Sequence, residues 1–520
     1  MANPHGALMI LLVLAGGGGS LLGPAQAARS PDYWPTQGWR TSTPEEQGMD
    51  SGALADAVDL LRNRDSTVHS LLVIRHGYVV ADAYFHPFAP GWAHDVASVT
   101  KSVTSTLIGI AVGKGYIASL EQPLLGFFPQ RTAANVDDRK GAITLKHLLT
   151  MTSGLECVTA PTEVTLYQMM ASPDWVQFML DLPMTHEPGT EFAYSSGGVH
   201  LLSAIIRQAT GMSALEFAQQ RLFGPLGILD VGWPYDAQGV NSHGWGDLRL
   251  RPHDMAKIGY LFLNEGMWEG GQVVSREWVA AATSTQVTFP GQDAPAGYGY
   301  LWWINPRGYY TAAGRGGQYI HVVPDKDMVV VLTGGSGGPS ASDEVMSSFI
   351  IPAARSQEAL PPNAEGAERL AALIRAIAEP RRQERQPIPP QPATASRVSR
   401  QWYALEPNLF GVAGCSLDFE RTDEATLSLR LGPTAAQESA LEVAVGVGLD
   451  NLYRVSPGRF GLPAAAKGWW EGENVFVIDL DEVANINRWR LSLAFDGERL
   501  SLTMEETQGL PPQFIRGSAQ

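Results

Sequence analysis

The chain has 520 residues, too many for one ordinary hydrophobic core, so two domains are expected. Its 44% apolar content and 17% charged content exclude a disordered chain. With 37 basic against 53 acidic residues the net charge is -16, which excludes nucleic acid or an anionic membrane surface as partner, since either demands a basic patch.

The apolar run Leu8 to Ala15, the glycine break after it and the small residues Ala25 and Ala27 match a signal peptide over 1–27, with the mature chain starting near Ala28 and exported. The leader lacks Lys and Arg. No stretch is long and apolar enough to span a bilayer. The two cysteines, Cys157 and Cys415, make no disulfide framework, and buried free thiols are expected.

Thr43-Pro44-Glu45-Glu46 is a helix-start signature, and Leu54, Val58 and Leu61 follow at helical spacing. Leu71 to Ile74 and Tyr78 to Ala81, joined by Arg75-His76-Gly77, predict a β-hairpin. The apolar run Val99 to Val112 predicts a helix with Ser98 at its start. Thr144 to Leu155 reads as a short helix ended by Gly154. Further helices are expected from Val199 to Ile206, Ala214 to Leu222, Pro252 to Phe262 and Ser275 to Ala282. Tyr298 to Ile304, Gln318 to Val323 and Met328 to Thr333 read as three strands, with a helix over Asp343 to Ile351. Early strands, a helical middle and late strands imply an α+β domain whose antiparallel sheet is built from both chain ends.

Glu368 to Glu379 is a further amphipathic helix, and the proline-rich residues 381–395 read as an extended linker. Beyond it the texture changes. Ala425 to Leu431 and Leu491 to Leu493 alternate, and Asp496-Gly497 turns the chain into Leu500 to Met504. Residues 396–520 are therefore expected to form a separate antiparallel β module, sandwich or barrel, leaving 28–380 as the main domain.

Ser98 and Lys101 form the one Ser-x-x-Lys of the chain. Three residues apart on a helix, they share a face, and the first-turn amides favour a serine that must become an alkoxide. A lysine held in a poorly solvated pocket can activate it. On its own the pattern is better read as a capping serine with a snorkelling lysine. Two later segments change that balance: Tyr194-Ser195-Ser196, between a turn and a helix, and Gly314-Arg315-Gly316-Gly317-Gln318, which leads into a strand.

With these three segments in order, the chain resembles the serine β-lactamase and penicillin-binding-protein superfamily, in particular the class C β-lactamase-related branch that includes esterases and nylon-oligomer hydrolases. His147 to Leu155, Glu187-Pro188-Gly189-Thr190, Pro225-Leu226-Gly227 and Tyr300 to Trp303 support the resemblance, which spans Thr43 to Thr333. It implies a β-lactamase/transpeptidase-like fold and acyl transfer through a serine. Ser98 would be the nucleophile, with Lys101 and Tyr194 sharing proton handling. The Ser98 amide and a second N–H from the Gly314–Gln318 strand entry would hold the oxyanion, with Ser196, Arg315 and Gly316 as substrate-binding or oxyanion-side candidates. The substrate would be a small carboxylic ester or open-chain amide, with no cofactor or metal.

Two positions depart from the family pattern. Ser196 stands where Asn is usual, and Arg315 is the sole cation in the third motif. Both shift the expectation from β-lactams or D-Ala-D-Ala peptides toward esters and open-chain amides. β-Lactamase or carboxypeptidase-like activity, and a non-catalytic binder retaining the fold, remain alternatives. Gly334-Gly335-Ser336-Gly337-Gly338 resembles a nucleophile elbow, but an α/β-hydrolase triad needs a later histidine and the last is His321. His147, His186, His200 and His253 lie singly and make no metal motif, and His147 reads as a packing or capping residue.

Overall fold

Both faces of one sheet, antiparallel apart from its edge strand Arg40–Thr41, are covered, which is why its central strands read as unbroken apolar runs rather than alternating ones. The computed structural model describes residues 31–63, 67–159, 163–289, 297–335, 342–380, 384–408, 410–432, 441–506 and 512–520. The expected signal peptide and Ser336 lie outside them. Among the described residues the sheet runs Arg40–Thr41, Tyr78–Tyr84, Val68–Arg75, Met328–Gly334, Gln318–Val323, Tyr310–Gly314, Trp303–Ile304, Gly297–Tyr298 and Val287–Thr288. The strand Val68–Arg75 from the front of the chain pairs antiparallel with Met328–Gly334 from its far side. The sheet is thus closed from both ends, as expected.

Alternation then divides the strands between two cores. Leu72, Ile74, Val329 and Val331 point into the helical middle, around the Ser98 helix (Val99–Gly113), Ser196–Thr210 and Pro252–Leu263. Leu71, Val73, Val330 and Leu332 face the other way, beneath helices Ser51–Asn63 and Ala364–Ala378. No helix among the described residues is long and apolar enough to cross a membrane.

Several local expectations need correction. Tyr298 to Ile304 is not one strand: Leu301 takes a left-handed conformation, φ 63°, and the chain folds back so that Trp303 pairs with Tyr298. The helix expected to run to Gly154 stops at Leu149, because Met151 is left-handed at φ 59°. Gly154 instead passes against the carbonyl of His186, where a side chain would collide. Within that helix His147 is a capping residue, its Nδ1 accepting from the Thr144 amide at 3.1 Å. Strand Tyr310–Gly314 has no counterpart in the sequence reading.

The C-terminal module is a closed barrel. Its strands run from Leu441–Gly448 through Glu424–Leu431 and Val412–Asp418 round to Pro463–Glu471, and a parallel pairing of Val447 with Ala466 joins the ends. Leu427, Leu491, Leu493, Leu500 and Leu502 fill its interior, with Cys415 among them. Ala395 and Val398 of helix Ala393–Val398 join that core, so the barrel's packing begins within the stretch read as linker. Tyr33–Gln520 forms one compact unit, in which Val483, Ala484, Leu462 and Ala465 of the barrel pack against Tyr84 and Phe88 of the sheet-and-helix half.

Candidate active site

The turn into the Ser98 helix is set by backbone geometry. His94–Asp95 pairs with Arg249–Leu250, and the Val96 amide donates to the Leu248 carbonyl at 2.9 Å. Ala97 then turns left-handed, φ 46°, a conformation costing on the order of 1 kcal/mol or more outside glycine. It is clamped on both sides: its amide donates to Asp95 Oδ1 at 2.7 Å, and its carbonyl accepts from Thr100 Oγ1 at 2.6 Å. This delivers Ser98 to the helix N-cap without spending its hydroxyl on capping, for Ser98 makes no side-chain cap bond.

Its Oγ instead lies 2.8 Å from Lys101 Nζ. Lys101 is 1% exposed, so it does not snorkel, and its ammonium also donates to the Trp245 carbonyl at 3.0 Å. Nζ stands 4.8 Å from the centre of the Tyr194 ring, which stacks on Trp303 at 6.1 Å. Tyr194 is fixed from behind by the next residue, since Ser195 caps the Ser196–Thr210 helix by accepting from the Gly198 amide at 3.1 Å. The capping-serine and snorkelling-lysine readings both fail on this geometry.

The third segment closes on the same place. A Cβ at Gly314 would stand 3.0 Å from the Ser98 nitrogen, so the end of strand Tyr310–Gly314 lies directly against the Ser98 amide. The chain then turns through Arg315, Gly316 and Gly317, the two glycines at φ 85° and 98°, and Gly314 pairs with Gln318. Gln318 Nε2 ties this turn to the Gly334 carbonyl at 2.6 Å.

Burial shapes the charges around the site. Asp95 is raised above the ordinary carboxyl value by its burial and by the nearby Asp247, against the pull of the Ala97 amide and of Arg249 and Arg315. The Cys157 thiol, 3.6 Å from the Tyr194 carbonyl, is pushed up by burial and so is a poor rival nucleophile.

The profile of the family described as Beta-lactamase matches residues 45–355, well over half of the chain. The chain belongs to the beta-lactamase family. The chain is 26% identical to the 6-aminohexanoate-dimer hydrolase of Paenarthrobacter ureafaciens over 311 residues, covering 56% of this chain and 79% of that one. It is also 26% identical to esterase EstB of Burkholderia gladioli over 214 residues, covering 36% and 54%. Among solved structures, a candidate 6-aminohexanoate-dimer hydrolase from Bacillus anthracis superposes with a TM-score of 0.53 at 22% identity, over 63% of this chain and 90% of the other, a likeness of fold.

Within this beta-lactamase family chain, the geometry brings Ser98, Lys101 and Tyr194 together with Gly314. The other candidates lie next to these residues in the chain. Ser196 lies in the first turn of its helix, its amide donating to Glu163 Oε2 at 3.2 Å and its buried hydroxyl without a hydrogen-bond partner among the described residues. Arg315 Nη2 donates to Asn487 Oδ1 at 3.2 Å and its Nη1 lies 3.6 Å from Glu506 Oε1, both on the barrel. Gly316 is buried beneath Ile486. Sequence reasoning missed Trp245, Asp95 and Glu163. Gly244-Trp245-Gly246 is a weak signal for the first, since Gly244 passes against the Val199 carbonyl; nothing local marks the other two.

Proposed function

We propose that this protein is a serine hydrolase that cleaves a carboxylic ester or an open-chain amide through an acyl-enzyme on Ser98. The observation that carries the reading is a buried lysine 2.8 Å from a hydroxyl that caps nothing. Ser98 Oγ attacks the substrate carbonyl carbon while its proton passes to the Lys101–Tyr194 pair. The negative charge that develops on the carbonyl oxygen is met by the Ser98 amide, at the positive end of its helix, and by a backbone N–H from the turn that follows Gly314. The pair returns the proton to the leaving alkoxide or amine, and a water then releases the acid by the same steps in reverse. The kinship with a 6-aminohexanoate-dimer hydrolase and an esterase supports both bond types.

Ester and open-chain amide substrates are favoured over β-lactams because, of the two positions that depart from the family pattern, Ser196 lacks the amide fork of the usual Asn and the Arg315 side chain is already engaged by the barrel. The test is a fluorophosphonate probe followed by turnover of p-nitrophenyl esters, short ω-amino acid amides and nitrocefin. We expect one adduct, on Ser98, absent in Ser98→Ala, and a fall in kcat on the order of a thousandfold in Lys101→Ala. No adduct on folded protein would overturn the reading, and preferential hydrolysis of nitrocefin would overturn the substrate class.

A further inference from the structure

The barrel turn between strands Val475–Asp481 and Arg488–Asp496 reaches both backbone segments that converge on Ser98. On one side, the Ala484 carbonyl accepts from the Asp95 amide at 2.9 Å. Asp95 is the residue whose carboxylate clamps left-handed Ala97, so this bond grips the nucleophile's approach. On the other side, Asn487 Oδ1 accepts from Arg315 Nη2 and the Glu506 carboxylate lies beside Nη1. A Cβ on Gly316 would overlap the Ile486 side chain, so the third-segment turn is pressed flat beneath the barrel.

The turn is stiff enough to act as a support. The Glu482 amide donates to the Asn487 carbonyl at 3.1 Å, the Asn485 amide to the Glu482 carbonyl at 2.8 Å and the Ile486 amide to Asn485 Oδ1 at 2.6 Å. Val483 and Ala484 are buried in the apolar cluster that joins barrel to hydrolase half. By contrast, the Arg315 side chain is 45% exposed, and the turn of positive-φ glycines in which it stands is tied within its own half through Gln318.

We infer that the barrel turn Glu482–Asn487 is a positioning element of the acyl-transfer site, and that Asn487 is the residue through which it sets the turn after Gly314. The inference rests on the hydrolase reading. Oxyanion donors act only when aligned to a fraction of an ångström, so an Arg315 turn released from Asn487 aligns its amides less often. The loss falls on the transition state and not on substrate binding, so it appears in kcat and leaves KM in place.

The experiment measures burst and steady-state hydrolysis of a p-nitrophenyl ester by the full chain and by Asn487→Ala, Asn487→Asp and Ile486→Ala, with thermal midpoints for each. Asn487→Ala should acylate about tenfold more slowly, from lost donor alignment, with KM and thermal midpoint held. Asn487→Asp keeps an acceptor for Arg315 and should recover most of the rate; Ile486→Ala, which unloads the same turn at Gly316, should slow acylation too. Unchanged kinetics in Asn487→Ala, or rate lost only in step with thermal stability and unrescued by Asn487→Asp, would overturn the inference while the unaltered chain still acylates at Ser98. An unaltered chain that does not acylate would instead sink the hydrolase reading and this inference with it.

Discussion

A methyl group placed on Gly314 would stand 2.5 Å from the Val96 carbonyl oxygen and 3.0 Å from the Ser98 nitrogen. Both neighbours are backbone, one of them in the segment clamped by Asp95 and Thr100, so neither can give way cheaply. Gly314→Ala should therefore push the strand end off Ser98. The expected outcome is a fall in kcat on the order of a hundredfold, the scale of losing one oxyanion donor, with Ser98 still labelled slowly by an activated probe. Wild-type turnover in Gly314→Ala would refute the placement. Single residues of this kind were partly legible in the sequence. Ser98 and Lys101 share a helix face at this spacing, but they stand out only once Tyr194 and the Gly314 segment join them. Trp245 and Asp95 do not stand out, because Trp245 contributes a backbone carbonyl and the Asp95 carboxylate grips a backbone amide two residues on, contacts that no residue pattern marks. Arg315 looked like a free cation because its partners, Asn487 and Glu506, belong to the other half of the chain.

Elements were legible where one periodicity ruled. Leu71 to Ile74 and Met328 to Thr333 are apolar runs between turns and emerged as central strands. Tyr310–Gly314 was missed because Thr-Ala-Ala-Gly carries little strand propensity; its place is fixed by pairing with Gln318–Val323. The left-handed residues Met151 and Leu301, which ended one helix and folded one strand, are not types that advertise such a conformation. Sheet strands also bury histidines that carry a pH dependence. His94 Nδ1 donates to the Asp95 carbonyl at 2.6 Å, which leaves its Nε2 to accept from His69 Nδ1 at 2.8 Å. His321 lies between the hydroxyls of Thr311 at 2.9 Å and Ser342 at 2.7 Å. Burial lowers His94 to about 4 and His321 to about 3, from an ordinary 6.5. Above 6.5 both rings are neutral in folded and unfolded chains and contribute nothing to the pH dependence. As pH falls below 6.5 the unfolded chain binds protons that the folded chain refuses, so stability declines until the folded rings also titrate. For His94 the loss by pH 4 is about 3 kcal/mol. Urea unfolding at pH 8, 6 and 5 should show stability falling with acid, and His321→Gln should flatten the slope by one ring's share. An identical slope in that variant would refute the assignment.

At the scale of the whole molecule, the barrel was legible as a separate texture after a proline-rich stretch, but its attachment was not. Val483, Ala484 and Leu462 read as ordinary apolar residues near turns; only the fold shows that they leave the barrel's own core and pack on Tyr84 and Phe88. The barrel and the hydrolase half each have a core of their own, so each is able to unfold as a unit when the contact between them fails. Val483 is 1% exposed, and a carboxylate buried there without a partner costs several kcal/mol. Val483→Asp should thus weaken the contact more than either core. Calorimetry on the unaltered chain should give one cooperative transition, because the shared apolar cluster makes the two units unfold together. In Val483→Asp it should split into two, with ester turnover lost at or below the lower one, since the same contact carries the Ala484 bond to Asp95. Val483→Ala removes apolar area without adding charge and should only lower a single transition by about 1–2 °C, the response to about 1–2 kcal/mol. A single unshifted transition in Val483→Asp would mean that the barrel is not coupled to the hydrolase half through this cluster.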